Sequence, residues 1–186
     1  MDISLVQVAV FLLASLFFLF ISRRCLGNPG SHGFYRFFVF EAILLLVLIN
    51  QPHWFTDPFS VVHILAWCLL LISICLIGQS LWMLKQRGGY AERQDMPENH
   101  AFENTVHVVD EGIYRFIRHP MYSSLLFLAW GAYFKDCTVV TSVLVAAATL
   151  FLLFAAKVEE KENIRFFGDE YREYMKRSKM FVPYLF

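Results

Sequence analysis

Five apolar runs fix what this chain can fold into before any motif is read. A helix crossing the hydrocarbon core of a bilayer needs about 20 mostly apolar residues, with about 17–25 usual. Ile3 to Ile21 and Val139 to Ala156 are long enough, and Val61 to Leu84 qualifies easily. Phe34 to Asn50 is shorter and carries Arg36 and Glu41 near its start, yet Glu41 is followed by "AILLLVLI". Met121 to Phe134 has only fourteen residues. At about 1.5 Å per residue that is about 21 Å of helix. Only the short "KDCT" separates it from the last run, which predicts a helical hairpin. Its short arm must be extended at one end, tilted, or sunk beside its neighbours.

Composition agrees. Hydrophobic residues make up 58% of the chain and charged residues 17%. Soluble domains run nearer ~45–50% and ~25%. The expected fold is an all-α membrane protein with about five transmembrane helices, a C-terminal helical hairpin and cytosolic loops. Residues 1–186 read as a single integral membrane domain, with three N-terminal spans in 1–84 and a long polar loop, hairpin and tail in 85–186. Asp2 replaces the basic region of a signal peptide and no small-residue cleavage site follows, so the first run reads as a retained span. The closing "VPYLF" is not a prenylation box. Formal net charge is zero and no basic stripe runs along any face, so nucleic acid is not an expected partner. Cys25, Cys68, Cys75 and Cys137 show no metal or disulfide spacing and read as small apolar filler.

Orientation follows from lysine and arginine, which favour the cytoplasmic side. With five spans, fifteen of the sixteen basic residues fall on one side, Lys135 being the exception. The N-terminus is then outside and the C-terminus cytoplasmic, in a bacterial inner membrane or endoplasmic reticulum. Two long polar stretches share the cytoplasmic face, residues 85–120 and the tail from Lys157.

The first stretch ends in "YRFIRHPMY". Pro120 suits the first position of a helix, where its fixed φ helps and its missing N–H costs nothing. His119 then stands at the N-cap, and the amides of Met121, Tyr122 and Ser123 are expected to point out unpaired. Such an end attracts anions through free N–H groups and the helix dipole. Arg118 adds a charged fork of donors, and the Tyr122 hydroxyl adds a polar group. A carboxylate or phosphate of a ligand fits this chemistry. Tyr114 and Arg115 also suit a membrane interface.

The second stretch reads "KVEEKENIRFFGDEYREYMKR". Glu159 and Glu160 lie within a turn of the last apolar residues, where carboxylates are costly and usually have a partner or a function. Glu162, Asp169, Glu170 and Glu173 read instead as a solvated helix face. Gly168 ends the helix, and Asp169 caps a next short helix whose Tyr171, Tyr174 and Met175 share a face. The hairpin would bring the cationic helix start and the anionic helix end to one membrane face. A zwitterionic ligand could fit between them.

These two stretches resemble the isoprenylcysteine carboxyl methyltransferase family and the related phospholipid methyltransferases. The resemblance rests on "VVDEGIYRFIRHPMYSSLLFLAWG" (108–131) and "EEKENIRFFGDEYREYMKRSKMFVPY" (159–184), about 75 residues in the family's order. It implies an integral membrane enzyme using S-adenosyl-L-methionine, with a lipidic or prenylated substrate and membrane lipids around it. Carried over, Arg118 and Glu159 are catalytic. His119, Pro120, Tyr122, Glu159, Glu160 and Tyr114 bind the cofactor. Arg118 orients the substrate or the cofactor carboxylate. Ser124 stands where many members carry glycine, and Asn163 where many carry leucine. A carboxylate acceptor needs no base. An amine must first lose a proton, for which His119 or a glutamate could serve. Carboxyl O-methylation is the favoured reaction, with lipid amine N-methylation open.

Two other readings remain. A similar fold in sterol reductases uses a nicotinamide cofactor, with Arg118 meeting a phosphate. A non-enzymatic scaffold or ion path would use Gln7, Glu41, His63 and Gln79, although Gln79 suits a hydrogen bond across helices. Asn99, His100, Phe102, Glu103, Asn104, Thr105 and His107 are expected in a loop folding over the site, with the two histidines solvated. Trp67, Trp82 and Trp130 read as interface or packing aromatics.

Overall fold

A computed structural model describes residues 4–89 and 105–185, and six α-helices organise them. They are α1 (Leu5–Leu26), α2 (His32–Asn50), α3 (Val61–Arg87), α4 (Pro120–Tyr133), α5 (Val139–Phe167) and α6 (Asp169–Arg177). Short 3-10 turns follow α2 and precede α4. Of the loop expected over the site, Asn99, His100, Phe102, Glu103 and Asn104 lie outside the described residues.

Three of the four long helices start on a side-chain cap. The Ser4 hydroxyl accepts from the Gln7 amide, and the Gln7 side chain accepts from the Ser4 amide, a reciprocal cap on α1. Ser60 caps α3, and Thr138 with Thr141 repeats the reciprocal cap on α5. Gly168 ends α5 at φ 63°, a left-handed backbone that costs glycine least. Asp169 does not cap α6. It is the first helical residue, after Gly168, and accepts from Arg172 three residues on.

The fold is an all-α membrane protein. The helices α1, α3 and α5, and α2 with its following 3-10 turn, are long and apolar enough to cross a bilayer. The fourteen-residue α4 is the exception, and it is sunk among its neighbours. It packs along α3 and also meets α2 and α5. Close approach needs small residues on α4: Ala129 and Ala132 are fully buried. At Gly131 an added Cβ would stand 2.9 Å from Leu70 Cγ and 3.1 Å from the Ala66 carbonyl. Real Cβ atoms do not approach that closely, so α3 and α4 touch through this glycine. Gly131→Ala should lower stability by about 1–3 kcal/mol, as overpacking does. Thermal unfolding of the purified variant in detergent measures it, and an unchanged midpoint would mean the helices part without cost.

The core lies between α2, α4 and α5, around Val39, Leu46, Ala129, Ala148 and Leu152. Hydrogen bonds join the helices, some of them buried and others partly so. Ser73 donates to the Ser124 carbonyl at 2.7 Å, and Ser15 to Glu41 at 2.7 Å. Gln79, expected in such a role, is exposed. At the α4–α5 turn Lys135 is buried, with its ammonium 3.6 Å from the ring centre of Trp67. Trp67 therefore packs against a cation. Trp130 donates to Thr149, and Trp82 is exposed.

Candidate functional site

The α4–α5 hairpin does bring the two motifs together. Arg118, just before α4, pairs through Nε with Glu160 on α5. Its Nη1 donates to the Ser178 carbonyl at 2.7 Å. Both paired side chains are about a tenth exposed. His119 lies between the glutamates, with Nδ1 3.8 Å from Glu159 and Nε2 3.5 Å from Glu160. Its ring stacks on Tyr122 with 5.5 Å between centres.

A backbone strap fixes this geometry. The Arg118 amide donates to the Lys179 carbonyl at 2.8 Å, and the His119 amide to Met180 at 3.2 Å. The Lys179 amide returns a bond to Phe116 at 2.9 Å, forming an isolated parallel bridge at Ile117. The Ser123 hydroxyl donates to the Phe181 carbonyl at 2.8 Å, and Phe181 is almost wholly buried. Tyr174 on α6 donates to the Tyr114 carbonyl at 2.7 Å, so the α6 face meets the other motif as its spacing suggests.

The helix start differs from expectation in one respect. Pro120 is the first residue of α4 and His119 its cap, but the Ser123 amide bonds back to His119 at 2.9 Å. Ser123 is inside the ladder, so its amide is not one of those that face outward from the first turn. Ser124 is buried, and its hydroxyl bonds the Met121 carbonyl at 2.7 Å. The hydroxyl thus turns into its own helix.

Above this frame lies a cavity of about 380 Å³. Its walls include Tyr114, Arg118, His119, Pro120, Tyr122, Glu159 and Asn163. Of the residues assigned from the sequence, Glu160 is not on the wall. It stands behind it, holding Arg118. Thr105 and His107 do reach the cavity. Asn163 is within hydrogen-bonding reach of the Tyr171 hydroxyl, which accounts for a polar side chain there. Burial pushes the Tyr114, Tyr171 and Tyr174 hydroxyls above the ordinary phenol range, and the Glu159 charge adds to this for Tyr114 and Tyr171. All three remain protonated at neutral pH. Tyr114 shares a 2.6 Å bond with Ser80 of α3.

Three wall residues escaped the sequence reading. Glu162 is buried rather than solvated. Its Oε1 accepts the His32 amide at 3.1 Å, and its Oε2 lies 2.6 Å from His32 Nδ1. His32 and Arg36, both buried, bring α2 to the cavity. The signal in the sequence was Arg36, a charge inside an apolar run. Pairing across 130 residues leaves no trace in local spacing.

The fold and site define an all-helical membrane protein whose C-terminal hairpin brings charges of both signs to a largely apolar cavity. The chain belongs to the phospholipid methyltransferase family, which it matches over residues 61–170. It is 31% identical over 122 residues to the methanethiol S-methyltransferase of Pseudomonas deceptionensis, covering 65% of this chain and 43% of that one. Against the methanethiol S-methyltransferase of Crocosphaera subtropica it is 25% identical, covering 87% of this chain and 64% of that one. Against the human protein-S-isoprenylcysteine O-methyltransferase it is 33% identical, covering 47% of this chain and 32% of that one. The chain thus spans less than two thirds of these curated relatives. No solved structure matches it.

Proposed function

We propose that this protein is a membrane methyltransferase that uses S-adenosylmethionine to methylate a lipidic or small acceptor. The observation that carries this is the shared wall formed by the start of α4 and the end of α5. Family membership supports it, and so do relatives named for methyl transfer to a thiol and to isoprenylcysteine.

The donor set fits the cofactor. The start of α4, at the positive end of a helix dipole, suits its carboxylate. Glu159, about a third exposed on the wall, suits its amino group or ribose hydroxyls. The protonated tyrosines and Asn163 supply neutral polar contacts. When bound, the cofactor supplies a methyl group already activated by a sulfonium.

The protein's task is then to hold and orient, which is worth several powers of ten in rate. Arg118 is fixed by Glu160 and Ser178, so its remaining donors keep one direction. His119 is wedged between Glu159, Glu160 and Tyr122, which sets its ring plane. Buried apolar neighbours exclude water. The excess of basic residues supports a cytoplasmic mouth and an outside N-terminus. Reporter fusions at each terminus test that orientation.

The direct test is incubation of the purified protein with labelled S-adenosylmethionine and a lipid extract, with small thiols in a parallel arm. Label should enter an extractable lipid or a methylated thiol. Glu159→Ala should weaken S-adenosylhomocysteine binding by at least about tenfold, the loss of one charge-assisted bond. Its stability should change little, because the side chain is partly exposed. Wild-type binding by that variant would remove Glu159 from the site.

A further inference from the structure

We propose that the end of the helix bundle remote from the cavity holds a second site, in which Lys135 and Trp54 bind the phosphate of a membrane phospholipid. The inference does not use the methyl-transfer reading.

Three segments meet at this end: the turn after α2, the start of α3 and the α4–α5 turn. The α2 helix begins at the cavity with His32 and ends at Asn50. Its 19 residues, at about 1.5 Å each, set those ends about 28 Å apart. The α4 helix likewise runs away from the cavity, from Pro120 to Tyr133, and α3 starts at Val61 and reaches the cavity at Leu84. Asn50 ties the far end together. Its Nδ2 donates to the Ala132 carbonyl at 2.8 Å and to the Asp136 carbonyl at 3.1 Å. His63 Nε2 lies 3.1 Å from the Lys135 carbonyl, which can only accept, so Nε2 carries the proton and donates.

Four polar atoms here are buried and without a hydrogen-bond partner among the described residues: Lys135 Nζ, Trp54 Nε1, His63 Nδ1 and Asn50 Oδ1. A buried polar group left unpaired costs about 1–3 kcal/mol. One such group is a local defect. Four in one place, from all three segments, are the donors and acceptors of a binding site. Lys135 is 3% exposed, and its ammonium stands 3.6 Å from the ring centre of Trp67 and 6.0 Å from that of Trp54. A ring face steadies the charge on one side and leaves N–H donors on the others. Both indoles are half-buried, so the ammonium lies beneath a single layer of rings.

This set selects its ligand. Lys135 and Trp54 offer donors only, and a charge-assisted bond from an ammonium to a phosphate oxygen is among the strong ones. His63 Nδ1, the bare nitrogen of the neutral ring, accepts and suits a headgroup hydroxyl. Two carboxylates belong to the same end. Asp136 is about a third exposed and lies 3.7 Å from His53, and Asp57 is exposed. Water and salt screen both of them more than they screen the buried lysine. The surroundings favour a lipid over a free phosphate. Phe55 and Phe59 are 78% and 88% exposed, and the Phe55 ring centre is 5.9 Å from that of Trp67. Aromatic rings at the ends of spans suit the interfacial belt, where headgroups lie.

The test uses the full chain in a neutral maltoside detergent and native mass spectrometry. The probes are dioctanoylphosphatidylglycerol and dioctanoylglycerol, which share their chains and differ by the phosphate-bearing head. The phospholipid should bind at least about tenfold more tightly. Lys135→Met keeps an unbranched side chain against Trp67 without donors, and should bring phospholipid binding down to that of the diacylglycerol. Trp54→Phe keeps a ring and loses one donor, and should weaken binding about fivefold. Circular dichroism and the thermal midpoint without lipid report the fold of each variant. Equal binding of the two probes by the unmodified protein overturns the proposal. So does undiminished phospholipid binding by Lys135→Met or, where that variant does not fold, by Trp54→Phe. Inorganic phosphate that displaces the phospholipid at equal concentration would make a free anion the ligand and overturn the lipid assignment.

Discussion

Glu160→Ala should lower stability by about 3–5 kcal/mol and methyl transfer by about 10²-fold, although Glu160 is not on the cavity wall. Removing one member of a buried ion pair leaves the other charged and unpaired, and that accounts for the stability loss. Here the orphan is Arg118, whose pair is about nine-tenths buried. The rate loss has a different origin. Arg118 and His119 take their positions from Glu160, and a displacement of about 1 Å in a positioned group can cost about 10²-fold. Glu160→Gln keeps an acceptor for the guanidinium and should fall between. Thermal unfolding and turnover of labelled cofactor, measured on the same preparations, separate the two effects. Normal turnover by Glu160→Ala would show that the pair does not position the site.

Ending the chain at Arg177 should abolish S-adenosylhomocysteine binding while the long helices persist. The residues removed lie far from α4 in sequence, yet they hold its start. Ser178, Lys179, Met180 and Phe181 supply the carbonyls that receive Arg118, His119 and Ser123. Without them, three donors lose these partners (the Arg118 amide and Nη1 and the His119 amide), while the Ser123 hydroxyl keeps only the His119 carbonyl, and each loss costs about 1–3 kcal/mol. Phe181→Ala is the milder form. It keeps the backbone bridge and empties a fully buried ring site, which should cost about 3–5 kcal/mol. Circular dichroism reports the helices and calorimetry reports the ligand. Undiminished binding by the truncated chain would mean that the strap is dispensable.

Much of this architecture was legible in advance because its causes are local. Run length set the four long helices, Gly168 set the end of one of them, and Pro120 set the start of the short α4. The short turn at 134–138 forced the hairpin, and the hairpin alone predicts that Arg118 and the glutamates share a mouth. Assigning Asp169 as a cap failed because Gly168 already occupied that position, at a φ of 63°. Assigning Glu162 to a solvated face failed because charge spacing along α5 cannot reveal a histidine on α2.

From its own order of residues the chain determined an all-helical membrane fold and a polar mouth built from two motifs. Both follow from interactions within a few residues: hydrophobic length, helix caps and a tight turn. Only the tertiary structure decided which charges face the cavity and which stand behind it. It set Glu160 to hold Arg118, gave Glu162 to His32, and laid residues 178–181 along the start of α4. Those choices depend on which helix packs beside which, and burial then leaves each charge only the partner that packing supplies.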